Sequence, residues 1–228
     1  MTTSRTPILF LSGAGLPAWI WDEVRAALSV ESAVAAYPRV KDNGPREYAQ
    51  RILDDVDWSE FFVVAHSIGG VVARAVVDQA PDRVAGLLAV AATVPEPAES
   101  FLRAQPAPQR WVLATVLRLV GTKPPDGAIR SVLGRGLPAA TASRLVADFA
   151  PEPLALYRRP GGDAPIPAHS RYIVTTDDPD TPRQRQEVFA KGFGSTREIA
   201  TGHLPMLQDP AGLAALIDEF RREAGPVR

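Results

Sequence analysis

The chain has no cysteine among its 228 residues, which excludes disulfide staples and thiolate metal sites. It has almost no excess charge: 25 basic and 26 acidic residues leave a formal net of −1. Such a balance argues against a surface built for a phosphate backbone, so nucleic acid is not an expected partner. Histidine is scarce, at three residues, so an imidazole base has few candidates. No apolar run approaches the ~18 residues needed to cross a bilayer. The opening "MTTSRTPILFLSGAG" holds only a five-residue apolar stretch, too short for the core of a signal peptide. A soluble, cytoplasmic protein is the expectation. Internal repeats and low-complexity tracts are also missing.

What is present is an ordinary globular composition, 46% hydrophobic and 22% charged, in a length that suits one sizeable core. A single domain over residues 1–228 is expected. Its basic residues are almost all arginine and alanine is abundant, a trait of genome composition rather than of function. Short apolar runs alternate with amphipathic segments. "PILFL" reads as a buried strand, "AWIWDEVRAALS" as a helix, "SAVAA" as a weaker strand and "PREYAQRILDDVDW" as a helix. "FFVVA" is a second strong strand, followed by a helix to about Asp78, and "VAGLLAVAATV" is another buried strand. After a long interruption come "SRYIVTT", a helix from Pro182 to about Lys191, "TREIAT" and a closing helix "PAGLAALIDEFRREA". This alternation predicts an α/β fold, a mostly parallel sheet of about six strands with helices on both faces. The interruption, residues 94–168, is dense in proline and too long for a loop between such elements. Its apolar stretches, "RWVLATVLRLVG" above all, predict a helical lid inserted in the domain.

Within "FFVVAHSIGGVVARAVV" the best apolar run is broken by His66, Ser67 and Gly69-Gly70. Ser67 stands where a strand stops and a helix starts with almost no loop between them. A turn that sharp brings helix backbone against strand, so the flanking positions must be small; here they are Ala65 and Gly69. This is the pattern of a nucleophile elbow, normally Gly-x-Ser-x-Gly, with one methyl added at Ala65. The alternative is a strand-to-helix turn that merely uses small residues.

A nucleophilic serine needs a base and an acid at the same, carboxyl edge of the sheet. His66 precedes the serine and points the wrong way, and His169 has no polar neighbour in sequence. His203, in "ATGHLPMLQDP", follows the last predicted strand and is the candidate base. The acid should lie between serine and histidine in chain order. "YIVTTDDPDTP" offers Asp177, Asp178 and Asp180, any of which could equally be a turn former. Backbone donors for an oxyanion would come from Ile68, after the serine, and from the small-residue loop "SGAG" after the first strand. That loop lacks dinucleotide-binding spacing, because Ala18 stands where a third glycine would, and Tyr37-Pro38-Arg39 supplies no acid after the next strand. No cofactor and no metal are expected.

These residues resemble the α/β-hydrolase superfamily over essentially the whole chain, and within it the compact subgroup of plant methylesterases, hydroxynitrile lyases and bacterial esterases. The subgroup opens with His-Gly-Ala-Gly and a Trp-x-Trp pair; here stand Ser12-Gly13-Ala14-Gly15, Trp19 and Trp21. Its Gly-His-Ser-x-Gly-Gly elbow lies over Ala65–Gly70. Its Tyr-Ile-x-x-Thr-x-Asp pattern lays onto Tyr172, Ile173 and Thr176 and selects Asp178, with Asp177 as the alternative. Its Gly-His-x-Pro-Met is matched at Gly202, His203, Pro205 and Met206. The resemblance implies a cofactor-independent serine hydrolase acting on a small ester, thioester or lactone. In it Ser67, Asp178 and His203 are catalytic, and Ala14 and Ile68 donate to the oxyanion. Phe101, Leu102, Trp111 and Leu117 would line an apolar substrate pocket under the lid. Relatives use the same three residues for lyase, cyclase or cofactor-free oxygenase chemistry, or keep the fold as binding proteins, and both stand as alternatives. The lyases often carry a lid lysine, whereas this lid has only Lys123, between Thr122 and two prolines. A hydrophobic lid face could serve substrate or a second copy, so a homodimer stays open.

Overall fold

The computed structural model describes residues 6–224; Met1–Arg5, part of the stretch weighed above as a leader, lie outside the described residues. Six strands form one sheet: β1 (Ile8–Leu11), β2 (Ser32–Val34), β3 (Phe61–His66), β4 (Val84–Val90), β5 (Ser170–Thr175) and β6 (Ser195–Ile199). Their order is β2-β1-β3-β4-β5-β6 and every pair is parallel. The chain therefore leaves β1 toward one edge and crosses back to β3 on the other side. Parallel pairing demands crossover connections, supplied on one face by α2 (Pro45–Asp55) and α3 (Gly69–Gln79).

Both faces of the central strands are covered, which is why those strands read as unbroken apolar runs rather than as alternation. Ile8 and Phe10 of β1 join Phe62 and Val64 of β3 in a cluster with α1 (Asp22–Ala27) and the closing helix Pro210–Glu223. Leu9 and Leu11 face the other way, with Phe61, Val63 and Ala65, onto α2 and α3. Strand β6, at the sheet's edge, exposes Thr196, Arg197 and Glu198, charges that discourage pairing with another sheet.

The expected first helix is shorter than its apolar spacing suggests: a 3-10 turn, Ala18–Trp21, follows Pro17 and only then does α1 begin. Between β4 and β5 the chain forms separate helices, chiefly Gln109–Leu119, Ala139–Asp148 and Leu154–Arg158. Their apolar residues join both clusters, Leu145, Val146 and Phe149 on the α1 side and Leu117, Leu156 and Tyr157 on the α3 side. Among the described residues no helix is long and apolar enough to cross a membrane.

Candidate active site

Parallel strands end together, so the loops after β1, β3, β4, β5 and β6 meet at one edge of the sheet. Ser67 follows β3 directly and holds φ at +54°, a left-handed conformation that is uncommon for a residue with a side chain. Close packing forces the turn. A Cβ on Gly69 would lie 2.5 Å from the Leu11 carbonyl oxygen, and one on Gly70 would lie 2.4 Å from that of Thr93. The Thr93 amide donates to the Ser67 carbonyl at 2.9 Å and so ties the turn to the end of β4. Ala65 is fully buried in the α3-side cluster, where its methyl finds room.

His203 lies on the loop after β6, 3% exposed, with Nδ1 2.7 Å from Asp178 Oδ2. Because a carboxylate only accepts, Nδ1 carries the proton of that bond and Nε2 faces away from it. Asp178 is held on every side: Oδ1 accepts from the Asp180 and Thr181 amides at 2.8 and 3.0 Å, and Oδ2 from the Thr175 hydroxyl at 3.1 Å. Gln186, fully buried, braces the same turn through Thr175 and Thr181. Burial pushes the Asp178 carboxyl up, but the His203 bond and charge and the two amides outweigh it and hold it below its ordinary pKa. Burial also pushes His203 down, yet the charge of Asp180 and the bond and charge of Asp178 outweigh it, and its pKa stands above the ordinary value.

Ser67, His203, Ala14 and Ile68 all line one cavity of about 830 Å³. Among the described residues no hydrogen bond joins Ser67 Oγ to His203 Nε2, a bond that commonly tightens only once substrate is bound. The Ala14 and Ile68 amides likewise have no hydrogen-bond partner among the described residues. Ser12, where the subgroup has histidine, accepts from Trp21 Nε1 at 3.0 Å, while its carbonyl accepts from the Tyr37 hydroxyl at 2.8 Å.

Asp177 is exposed and bonds locally with Thr176 and Thr201, away from either ring nitrogen of His203. Asp180 does what no spacing suggested: its Oδ2 stands 3.5 Å from His203 Nε2, and its residue lines the cavity. His66 also has a task that its sequence position hid. It is fully buried and its Nε2 donates to the His203 carbonyl at 2.8 Å, bracing the histidine loop. Burial, with the nearby His203, drives the His66 pKa down to about 3, so the ring stays neutral. His169 donates to the Phe220 carbonyl and stacks on the Phe220 ring, a packing role.

Of the four expected pocket residues, Phe101 and Leu117 line the cavity. Leu102 instead packs into the α3-side cluster, and Trp111, 61% exposed, lies on the outer face of its helix. Lys123 is exposed and outside the cavity wall, although Thr122 and Pro124 on either side belong to it. Among the described residues no group of histidines and carboxylates could hold a metal ion.

No curated protein sequence matches the chain. Solved structures do. An extracellular α/β-hydrolase from a Paenibacillus species, described as sharing structural and functional homology with tobacco salicylic acid binding protein 2, superposes with a TM-score of 0.79 at 20% identity. That match covers 97% of this chain and 100% of the other. A pyrethroid hydrolase from Sphingobium faniae JZ-2 gives 0.74 at 19% identity over 98% and 99% of the two chains. The Arabidopsis methylesterase MES16 gives 0.71 at 18% identity over 93% and 97%. Likeness at such identities speaks to the fold. The sequence model of the alpha/beta hydrolase family matches residues 8–216, and the chain belongs to that family.

Proposed function

We propose that the protein is a serine hydrolase that cleaves a small carboxylic ester, thioester or lactone without a cofactor. Ser67 Oγ attacks the carbonyl carbon as His203 Nε2 takes its proton, and the carbonyl oxygen becomes an anion facing the Ala14 and Ile68 amides. Collapse of that intermediate breaks the bond to the leaving group, which takes the proton back from Nε2. The acyl group stays on Ser67 until water, deprotonated by the same imidazole, attacks and releases the acid. Asp178 keeps the imidazole in the tautomer that leaves Nε2 basic and stabilises the imidazolium formed in each half.

The observation that carries this is the buried His203–Asp178 pair at 2.7 Å, with His203 on the same cavity as a serine held at φ +54°. The cavity wall is largely apolar around Leu16, Leu113, Leu117 and Phe149, which suits an apolar acyl or alcohol group. The exposed Lys123, outside the cavity wall, favours hydrolysis over a lyase reaction that needs a lid cation.

The test is a fluorophosphonate probe read by intact mass. Stoichiometric labelling of the wild type, lost in Ser67→Ala and in His203→Ala, is the expected outcome. A folded wild type that takes no label overturns the hydrolase assignment.

A further inference from the structure

Glu152 is a carboxylate that solvent does not reach and that the proposed chemistry does not use. It lies between the helices Ala139–Asp148 and Leu154–Arg158, 3% exposed, with a fully buried side chain. Its Oε1 accepts from the Gly15 amide at 3.2 Å and from Arg39 Nε at 3.1 Å, and its Oε2 accepts from the Tyr48 hydroxyl at 2.7 Å. It is not part of the cavity wall and so cannot touch a substrate there.

Burying a carboxylate is costly before its partners compensate, and a well-packed apolar side chain is often as stable. The partners show what is held. Gly15 is the last residue of the loop that carries Ala14, and the chain near Glu152 takes both of its backbone groups. The Glu152 side chain accepts from its amide, and its carbonyl accepts from the Ala150 amide at 3.0 Å. Gly15 itself has φ +71°, and a Cβ there would lie 2.3 Å from the Phe149 ring. The other end of the loop is held by the same group of side chains. Tyr37 donates to the Ser12 carbonyl at 2.8 Å and packs against Tyr48, with ring centroids 5.0 Å apart. Tyr48 in turn donates to Glu152. Residues 12–15 are thus suspended between two anchors, one direct and one relayed through two tyrosines, that meet at one carboxylate.

Arg39 matters for sign. An unpaired carboxylate behind this loop would repel the developing oxyanion, and the guanidinium at 3.1 Å offsets that charge. Charge-assisted bonds to the amide and phenol are stronger than neutral ones, so a carboxylate holds the loop more stiffly than an amide side chain would.

We propose that Glu152 is a positioning residue that sets the Ala14 amide at the distance and angle an oxyanion requires; this rests on the assignment of Ala14 as an oxyanion donor. Removing a single oxyanion donor outright costs about 10²–10³ in kcat, so loosening one is expected to cost about 10–100-fold.

The test compares wild type with Glu152→Gln, which keeps the shape and removes the charge. Expected are a fall in kcat of about 10–100-fold with KM within about threefold, since the ground-state carbonyl leans little on the donor. A trifluoromethyl ketone, whose adduct with Ser67 carries an oxyanion, should lose affinity by the same factor. Hydrogen exchange should rise in the peptide covering residues 12–16 and stay unchanged in β3 and α3. A folded Glu152→Gln with kcat and ketone affinity within about twofold of wild type overturns the proposal. So does a rise in exchange spread across the sheet, which marks general destabilisation. Should Glu152→Gln fail to fold, Tyr48→Phe removes one of its donors; a fall in kcat of about 3–10-fold supports the proposal and no change overturns it. If the wild type takes no fluorophosphonate label and turns over no ester, the hydrolase assignment is what fails. Exchange in residues 12–16 still decides whether Glu152 holds the loop.

Discussion

Three aspartates within four residues divide their roles by what each can reach from one turn. Asp178 points back at amides and at His203 Nδ1, Asp177 points to solvent, and Asp180 closes on Nε2. Composition says only that the turn is acidic; tertiary placement of His203 distinguishes the three. A consequence is measurable. In the proposed hydrolysis His203 would serve as a base only when neutral, so activity is expected to be lost as pH falls through its pKa, and Asp180 is one of the charges that hold this pKa up. Replacing Asp180 with asparagine removes that charge, so the acidic limb of kcat/KM is expected to move to lower pH. Profiles of both proteins on a neutral ester between about pH 5 and 9 check this. A limb that stays in place shows that Asp180 does not act on the base.

At the scale of elements, the turn from β3 into α3 is the most legible feature. A strand that must end and become a helix around one half-buried serine needs small residues, and both glycines prove to have carbonyl oxygens where a side chain would be. Backbone cannot yield as a flexible side chain can. Gly69→Ala is therefore expected to destabilise the fold by at least about 1–3 kcal/mol, read from urea unfolding, and to abolish probe labelling of Ser67. The helix Gln109–Leu119 was less legible. Its apolar content forecast a pocket wall, but a helix has two faces, and the sequence could not say which would meet the cavity. Leu113 and Leu117 turn inward, whereas Trp111, Val112, Val116 and Leu119 are exposed. Trp111→Ser is thus expected to leave KM unchanged and stability within about 0.5 kcal/mol, while Leu117→Ala is expected to raise KM for apolar esters. A Trp111→Ser variant with a markedly raised KM would place that side chain in the substrate path.

For the molecule as a whole, acid stability depends on buried histidine. His66 is neutral in the fold down to about pH 3, whereas in the unfolded chain it takes a proton near the ordinary 6.5. The unfolded state then binds more protons, so stability falls as pH drops from 6.5 toward 3, at no more than about 1.4 kcal/mol per pH unit for one group. His169, also lowered by burial, adds to this slope. His203 has the opposite sign: its contribution is present below 6.5 and is lost as pH rises through its raised value. His66→Gln keeps an N–H donor for the His203 carbonyl and removes one titrating ring, so its melting temperature should fall less steeply with acid than that of the wild type. Parallel melting curves across pH 6.5 to 3 would rule His66 out as a source of the slope. The sequence alone determined the parallel sheet, the tight strand-to-helix turn at Ser67 and the edge at which His203 would stand, because these follow from local periodicity, turn sterics and chain order. It could not determine which carboxylate holds the histidine, that Asp180 faces its other nitrogen, or that Glu152 grips the loop carrying Ala14 at Gly15. Those contacts join residues 23, 25 and 137 positions apart, and only the crossing of the chain over its own sheet brings them within bonding distance.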